Sequence, residues 1–255
     1  METESGNTQQ LVSLRMPHFI RPLVLSIETE FEPYRYYSVR GTCFLLSVDG
    51  NPFIVTAKHC VCNNHGQLAG DRLFVFENLS TDHFVPIPYH GGGAVDVFGT
   101  DYQEIAFFPV DSSQYRQDAV FFPYHALTPQ DFDIRLNCIF VAGFRNDMQN
   151  MDCEGQLFTT EMDVLNILSL RQDTETEGSK WIMNVDFDEE SLDTDDTNKF
   201  DGLSGSPVIA YNPTAQTCKI LGVVVQGHHT PRILRFVSFL SPMLEIVLNA
   251  IPHSD

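Results

Sequence analysis

The hydrophobic residues of this chain fall in short runs separated by clusters of Gly, Pro, Asn and Asp. Short runs rich in Val, Ile and Phe and bounded by turn-forming residues are typical of β-strands. Such runs lie at residues 41–48, 53–57, 72–77, 104–110, 138–144, 181–185, 207–211, 220–226 and 233–239. The pattern therefore predicts an all-β protein, either a barrel or a sandwich.

The two ends of the chain depart from this pattern. Residues 241–248 read Ser-Pro-Met-Leu-Glu-Ile-Val-Leu, in which Ser241 is a good N-cap and Pro242 suits the first position of a helix. We therefore predict a C-terminal helix. Residues 1–20 lack a regular apolar pattern, and we expect them to form an N-terminal arm.

The charge excludes some classes of partner. The 255 residues carry a formal net charge of -19, and an acidic surface repels the phosphate backbone of nucleic acids. The first residues contain neither a basic region nor an apolar run, so they do not predict a secretory signal. Because no apolar stretch approaches the roughly 18 residues that cross a bilayer, we expect no membrane segment and a cytoplasmic location. In that compartment the six cysteines are expected to be free thiols.

Three short stretches carry side chains that could act together chemically. Residues 202–207 read Gly-Leu-Ser-Gly-Ser-Pro, which places Ser204 on a tight turn before an apolar run. His59 follows the apolar run 53–55, and Glu104 begins another such run. A serine hydroxyl is a weak nucleophile until a neighbouring base takes its proton. The order base, acid, nucleophile along the chain is that of one of the known serine triads.

With these stretches the sequence resembles the trypsin-like (chymotrypsin-fold) serine peptidases, and among them the bacterial-type intracellular and glutamyl-endopeptidase-like branches. The matching blocks are residues 41–46, 56–60, 104–106, 202–207 and 222–227. The resemblance implies two antiparallel six-stranded β-barrels followed by the C-terminal helix. It places the N-terminal barrel at residues 21–120, with the histidine and the acid, and the C-terminal barrel at residues 121–255, with the serine.

The same resemblance implies a serine endopeptidase that needs no cofactor. Ser204 would attack the carbonyl of a protein or peptide substrate, His59 would carry the proton, and Glu104 would orient the imidazole. The N–H groups of Gly202 and Ser204 would form the oxyanion hole. Because a permanently active intracellular protease is hazardous, we expect a partner protein or a mobile loop to gate it.

The acid is open to alternatives. The family usually has Asp where this chain has Glu104, and the additional methylene moves the carboxylate by more than about 1 Å. Asp101 and Asp118 could serve instead, because one lies three residues earlier and the other begins a strand-like run. The sequence ranks Glu104 first because it stands in the matching block.

The resemblance also implies which residues wall the primary specificity pocket. These residues are Asn198, Lys199, Asp201, Val225, Gln226 and Gly227. Lys199 would favour an acidic substrate side chain and Asp201 a basic one, so the specificity stays open. Leu203 stands where zymogen-activated relatives have Asp, so we expect activity without cleavage of the N-terminus.

Metal sites and other functions have weaker support. His59, Cys60, Cys62 and His65 are competent zinc ligands, but a Cys-x-Cys spacing is unusual for zinc. The acidic residues 193–197 lack the glycine and final glutamate of a calcium loop, so we expect no metal. Two alternative functions remain: an inactive trypsin-like binding module, favoured by the glutamate in the acid position, and a serine esterase.

Overall fold

The computed structural model describes residues 18–27, 36–62, 73–76, 84–86, 104–110, 120–146, 150–152, 157–159, 161–174, 180–186, 200–228 and 232–239. These residues contain fifteen strands, one α-helical turn, α1 (Lys58–Val61), and one 3-10 helix (Pro129–Phe132). The strands are β1 (Ile20–Ile27), β2 (Tyr36–Val48), β3 (Asn51–Ala57), β4 (Leu73–Phe76), β5 (Phe84–Pro86), β6 (Ile105–Pro109), β7 (Phe122–Pro123), β8 (Cys138–Gly143), β9 (Asn150–Asp152), β10 (Leu157–Thr159), β11 (Asp163–Gln172), β12 (Lys180–Val185), β13 (Pro207–Asn212), β14 (Thr217–His228) and β15 (Ile233–Ser238).

The first half of the chain forms one antiparallel sheet. Its strand order is β5-β4-β1-β2-β3-β6, and the short strand β7 pairs in parallel with β2. The β2–β3 pair turns through Asp49 and Gly50, both of which have positive φ. In the β3–β6 pair, Ala57 lies opposite Ile105. The residues that follow β3 and those that precede β6 therefore lie at the same end of the sheet.

The second half of the chain forms a closed barrel. Its six strands follow the order β11-β12-β15-β14-β13-β8, and β8 pairs with β11 to complete the circle. Closure leaves no unpaired edge, so each strand finds hydrogen-bonding partners on both sides. A separate two-stranded hairpin, β9–β10, lies outside the barrel ladder.

The barrel strands nearest the first sheet are buried on both faces. Alternate residues such as Val141, Val208 and Leu234 fill the barrel interior. Their neighbours Phe140 and Ile209 point the other way and join the core of the first sheet. Because strands buried on both faces read as continuous apolar runs, this packing explains why the sequence of β8 and β13 shows no polar alternation.

Phe239 follows β15, and its large side chain packs where the barrel contacts the first sheet. It is fully buried, and its ring centroid lies 5.8 Å from that of Phe107 and 6.2 Å from that of Phe44. Phe107 in turn meets Phe53 edge to face. These phenylalanines pack the two halves of the molecule into one hydrophobic core.

The all-β prediction is confirmed, and so is a six-stranded barrel in the C-terminal half. The prediction of a second closed barrel in the N-terminal half is wrong for the described strands, which form an open sheet. The reason is that β5 has three residues and pairs with β4, while β6 pairs with β3, so no described strand links the two edges.

Other predictions lie partly outside the described residues. The predicted C-terminal helix at 241–248 and residues 1–17 of the arm belong to the parts that the structure does not describe. The division of the chain at residue 120 stays a prediction, and Phe122 just beyond it still pairs with β2 of the first sheet. In the described ranges no helix has both the length and the apolar character needed to span a bilayer.

We predict that Phe239→Ala destabilises the protein by about 3–5 kcal/mol, because truncation leaves a cavity where the two halves meet. Leu168→Ala is the control, since Leu168 is 59% exposed and its loss should change the stability by less than about 0.5 kcal/mol. Urea unfolding of both variants measures the difference. If Phe239→Ala loses as little stability as Leu168→Ala, the packing described for Phe239 is wrong.

Candidate active site

His59 and Glu104 lie at one end of the first sheet. His59 is the second residue of α1, which follows β3 directly, and Glu104 immediately precedes β6. Because Ala57 at the end of β3 pairs with Ile105 at the start of β6, His59 and Glu104 lie on neighbouring segments of the chain. Within α1, Cys60 and Val61 are buried and anchor the turn, whereas His59 reaches the surface.

The charge state of His59 reflects three neighbouring influences. Partial burial of the imidazole by the surrounding protein lowers the pKa of His59 below its ordinary value, although the residue still reaches solvent. The carboxylate of Glu104 opposes this change, and the guanidinium of Arg40 adds to it. A lowered pKa favours the neutral imidazole, which is the form that can accept a proton.

Ser204 lies on a tight turn just before β13. Gly202 and Gly205 on either side have φ values of 93° and 88°, a left-handed conformation that side chains other than glycine rarely adopt. A Cβ on Gly202 would collide with the carbonyl oxygen of Phe144, and one on Gly205 with that of Thr42. Leu203, between them, is fully buried in the barrel interior and anchors the turn.

Thr42 of β2 holds this turn against the first sheet. Its N–H donates to the carbonyl oxygen of Ser204 at 2.9 Å, and its hydroxyl donates to that of Gly202 at 2.9 Å. The same hydroxyl accepts the N–H of Phe144 at 2.9 Å. On the other side, the carbonyl oxygen of Thr42 accepts the hydroxyl of Thr56 at 2.7 Å. One buried threonine therefore ties the serine turn to β2, β3 and the end of β8.

Cys60 brings the serine turn next to the histidine. Its thiol donates to the carbonyl oxygen of Ser204 at 3.6 Å, although the two residues are 144 positions apart in sequence. The adjacent residue of α1 is His59, so the serine turn lies against the helical turn that carries the imidazole. Among the described hydrogen bonds, none joins the Ser204 hydroxyl or the Glu104 carboxylate to His59.

Two N–H groups of the serine turn differ from the other three in their hydrogen bonding. The amides of Leu203, Gly205 and Ser206 donate to Phe200, Val224 and Leu203 respectively. By contrast, the amides of Gly202 and Ser204 donate to no acceptor among the described residues. Adjacent unpaired N–H groups at such a turn can bind an oxygen that carries negative charge.

The carboxylate of Glu104 has a partner that the sequence did not predict. Its Oε1 accepts a hydrogen bond from Nζ of Lys180 at 2.9 Å. Lys180 begins β12 and so belongs to the barrel, whereas Glu104 belongs to the first sheet. The alternative acids Asp101 and Asp118 lie outside the described residues, so their positions stay predictions.

The predicted pocket residues are partly described. Val225 is buried, Asp201 and Gln226 are exposed, and Gly227 contacts Phe200 so closely that a Cβ would lie 2.8 Å from the Phe200 Cβ. The stretches on either side of the predicted pocket are therefore in contact at this point. Asn198 and Lys199 lie outside the described residues.

The Gln226 side chain has a partner that was also missed. Its Oε1 accepts a hydrogen bond from Nη1 of Arg235, the residue opposite it on β15, at 3.2 Å. The sequence alone does not predict this hydrogen bond, because it depends on the antiparallel pairing of β14 with β15.

The described cysteines are free thiols, and two of them lie near the site. Burial raises the pKa of Cys60 to about 12 and raises that of Cys43 as well. Thiols with raised pKa values are protonated at neutral pH and are poor nucleophiles. No group of three metal-ligating side chains occurs in the described part of the chain, while His65 lies outside it.

Comparison with known proteins gives the fold. No family model matches the chain, and neither does any curated protein sequence. Among solved structures, the thermostable serine protease AL20 from an extremophilic microorganism has a TM-score of 0.52 at 14% identity, over 93% of this chain and 98% of that one. The active form of the Rv3671c protease from M. tuberculosis has a TM-score of 0.50 at 14% identity, over 99% of this chain and 88% of that one.

The chain has a chymotrypsin-like fold. At this level of identity the likeness extends to the architecture that these serine proteases share. The roles of individual residues depend on the local geometry described above.

We predict that Thr42→Val destabilises the protein by about 1–3 kcal/mol or more, because the carbonyl of Gly202 and the N–H of Phe144 lose a buried partner. Thr42→Ser keeps the hydroxyl and should recover most of that loss. Urea unfolding of the two variants gives the comparison. If the valine and serine variants lose the same stability, the Thr42 hydroxyl does not hold the Ser204 turn.

Proposed function

We propose that this protein is a serine endopeptidase that hydrolyses peptide bonds of protein or peptide substrates through an acyl-enzyme intermediate. The observation that carries the proposal is that Thr42 and Cys60 hold the Ser204 turn against the helical turn that contains His59. The fold shared with known serine proteases supports the same conclusion.

In the proposed reaction, the Ser204 hydroxyl attacks the substrate carbonyl while His59 takes its proton. The imidazolium then gives that proton to the leaving amine, and the acyl group stays on the serine oxygen. Water, deprotonated by the same imidazole, releases the acyl group and restores the serine. The lowered pKa of His59, which follows from partial burial, supports its role as a base near neutral pH.

The N–H groups of Gly202 and Ser204 are proposed to bind the oxyanion of each tetrahedral intermediate. Their lack of a described partner supports this role, because a preorganised donor needs no rearrangement when charge develops. Donors of this kind contribute about 3–4 kcal/mol each to transition-state stabilisation. The left-handed conformation of Gly202 turns the backbone at this position, which explains the need for glycine.

Glu104 is proposed as the acid of the triad. Its position beside His59 and its effect on the imidazole pKa support this role. Leu203 supports activity without cleavage of the N-terminus. A buried leucine side chain cannot form an ion pair with a newly formed N-terminus.

We predict that a fluorophosphonate probe adds one label to the uncleaved protein, measured by intact mass. Ser204→Ala and His59→Ala should abolish labelling, since one removes the nucleophile and the other its base. Glu104→Gln should slow labelling at least tenfold, because the imidazole loses the carboxylate that orients it. Native protein that has not been treated with the probe should also cleave peptides in preference to simple esters.

Ser206→Ala is the matched control, because Ser206 lies two residues from Ser204 but is fully buried. Its hydroxyl has no hydrogen-bond partner within the described part of the chain, so the variant should fold at least as well as the native protein and label normally. Labelling that survives Ser204→Ala would refute the assigned nucleophile. A native protein that is never labelled, with or without candidate partners, would refute the proposed catalysis.

A further inference from the structure

The ion pair between Lys180 and Glu104 joins the barrel to the first sheet at the active site. Nζ of Lys180 lies 2.9 Å from Oε1 of Glu104, and 76 residues separate the two in sequence. The Lys180 side chain is 17% exposed and that of Glu104 is 42% exposed. Because only the ammonium group is largely removed from water, the pair interacts somewhat more strongly than a fully exposed one.

The lysine is the fixed member of the pair. Its residue lies in the barrel ladder opposite Val237, and its carbonyl oxygen accepts the N–H of Asp173 at 2.9 Å. Glu104 precedes its strand and has the more exposed side chain. The position of the Glu104 carboxylate is therefore determined from the barrel, which also carries Ser204.

The charged groups around His59 come from each element that packs on it. Glu104 approaches from β6 and Arg40 from β2, while Lys58 and Cys60 lie in α1 itself. The sequence of β3 contains no titratable side chain. Of these groups, Glu104 raises the pKa of the imidazole and Arg40 lowers it.

We infer that Lys180 is a positioning residue that binds the Glu104 carboxylate and thereby keeps His59 neutral, the form that accepts the proton of Ser204. An ammonium group in contact with the carboxylate cancels much of its charge as felt by the imidazole, and it occupies Oε1. Both effects favour the uncharged ring. This inference rests on the proposed function and adds a residue from the barrel to the control of the base.

The direct test is the titration of His59 in the intact protein by NMR of the imidazole ring protons, assigned with His59→Ala. Lys180→Met should raise the pKa of His59, because the released carboxylate can stabilise the imidazolium. Lys180→Arg keeps the charge and should leave the titration as in the native protein. An unchanged or lowered pKa in Lys180→Met would overturn the inference.

Lys219→Met is the matched control for losing a paired lysine. Nζ of Lys219 lies 3.0 Å from Oδ2 of Asp131 and also donates to the carbonyl oxygen of Ala126, so its ion pair involves neither Glu104 nor His59. This variant should leave the His59 titration unchanged. If it shifts the titration as far as Lys180→Met does, general charge loss accounts for the result and the inference fails.

A thermodynamic cycle isolates the role of Glu104. In the native background Glu104→Gln should lower the His59 pKa slightly, because Lys180 already neutralises the carboxylate. In the Lys180→Met background the same substitution should lower it more. Equal shifts in both backgrounds would mean that Lys180 does not act through Glu104. Lys180→Gln provides a second neutral variant if the methionine variant fails to fold.

Probe labelling separates this inference from the proposed function. If the native protein is labelled, the acidic limb of its pH–rate profile should move to higher pH in Lys180→Met and stay in place in Lys219→Met. If the native protein is labelled but Lys180→Met moves neither the acidic limb of the pH–rate profile nor the His59 titration, the proposed function stands and the inference about Lys180 fails. If the native protein is not labelled but Lys180→Met raises the pKa of His59, only the proposed function fails.

Discussion

The hydrogen bonds of Thr42 are the constraint on which the site depends. One buried residue of β2 uses its N–H, hydroxyl and carbonyl to bind Ser204, Gly202, Phe144 and Thr56. No interaction within the barrel alone could place Ser204 beside His59, because the histidine belongs to the first sheet. The geometry therefore depends on a polar contact buried between two hydrophobic layers, where an unpaired group is costly.

The local electrostatics of the site differ from those of the whole molecule. The chain has 34 acidic and 15 basic residues, yet two of the basic ones, Arg40 and Lys180, lie near His59 or its acid. In the proposed mechanism His59 must be uncharged to act as the base, so nearby cations would be useful where an overall acidic protein otherwise favours the imidazolium. Because Lys180 comes from the barrel, the inferred role of this lysine would link the protonation of His59 to how the two halves meet.

The sequence predicted most of the strands that form continuous apolar runs, but it missed β1, in which Arg21 and Pro22 interrupt the buried residues Ile20, Leu23 and Val24. The runs that form β3, β8, β13 and β14 stand out because packing buries both of their faces. β11 was missed because its buried Leu165 and Ile167 are interspersed with an exposed Leu168, so the alternation is obscured. Local motifs located Ser204 and His59, whereas no local pattern records the contact of Lys180 with Glu104 between the barrel and the first sheet, or that of Arg235 with Gln226 across two paired strands. Closure of the N-terminal sheet was expected from resemblance, which carries no information on how far each edge strand extends.

The closed barrel also determines when the site can exist. The N–H of Gly205 is fixed by Val224 on β14, and β14 is held in turn by β15, so strands that follow Ser204 in the sequence shape the turn that carries it. During synthesis on the ribosome, the N-terminal sheet with its histidine emerges long before these strands. A growing chain would therefore carry His59 without an ordered Ser204 turn until these barrel strands have paired, and contacts so distant in sequence form slowly. The order of translation would thus leave the proposed catalytic site unassembled until the second half of the chain has folded.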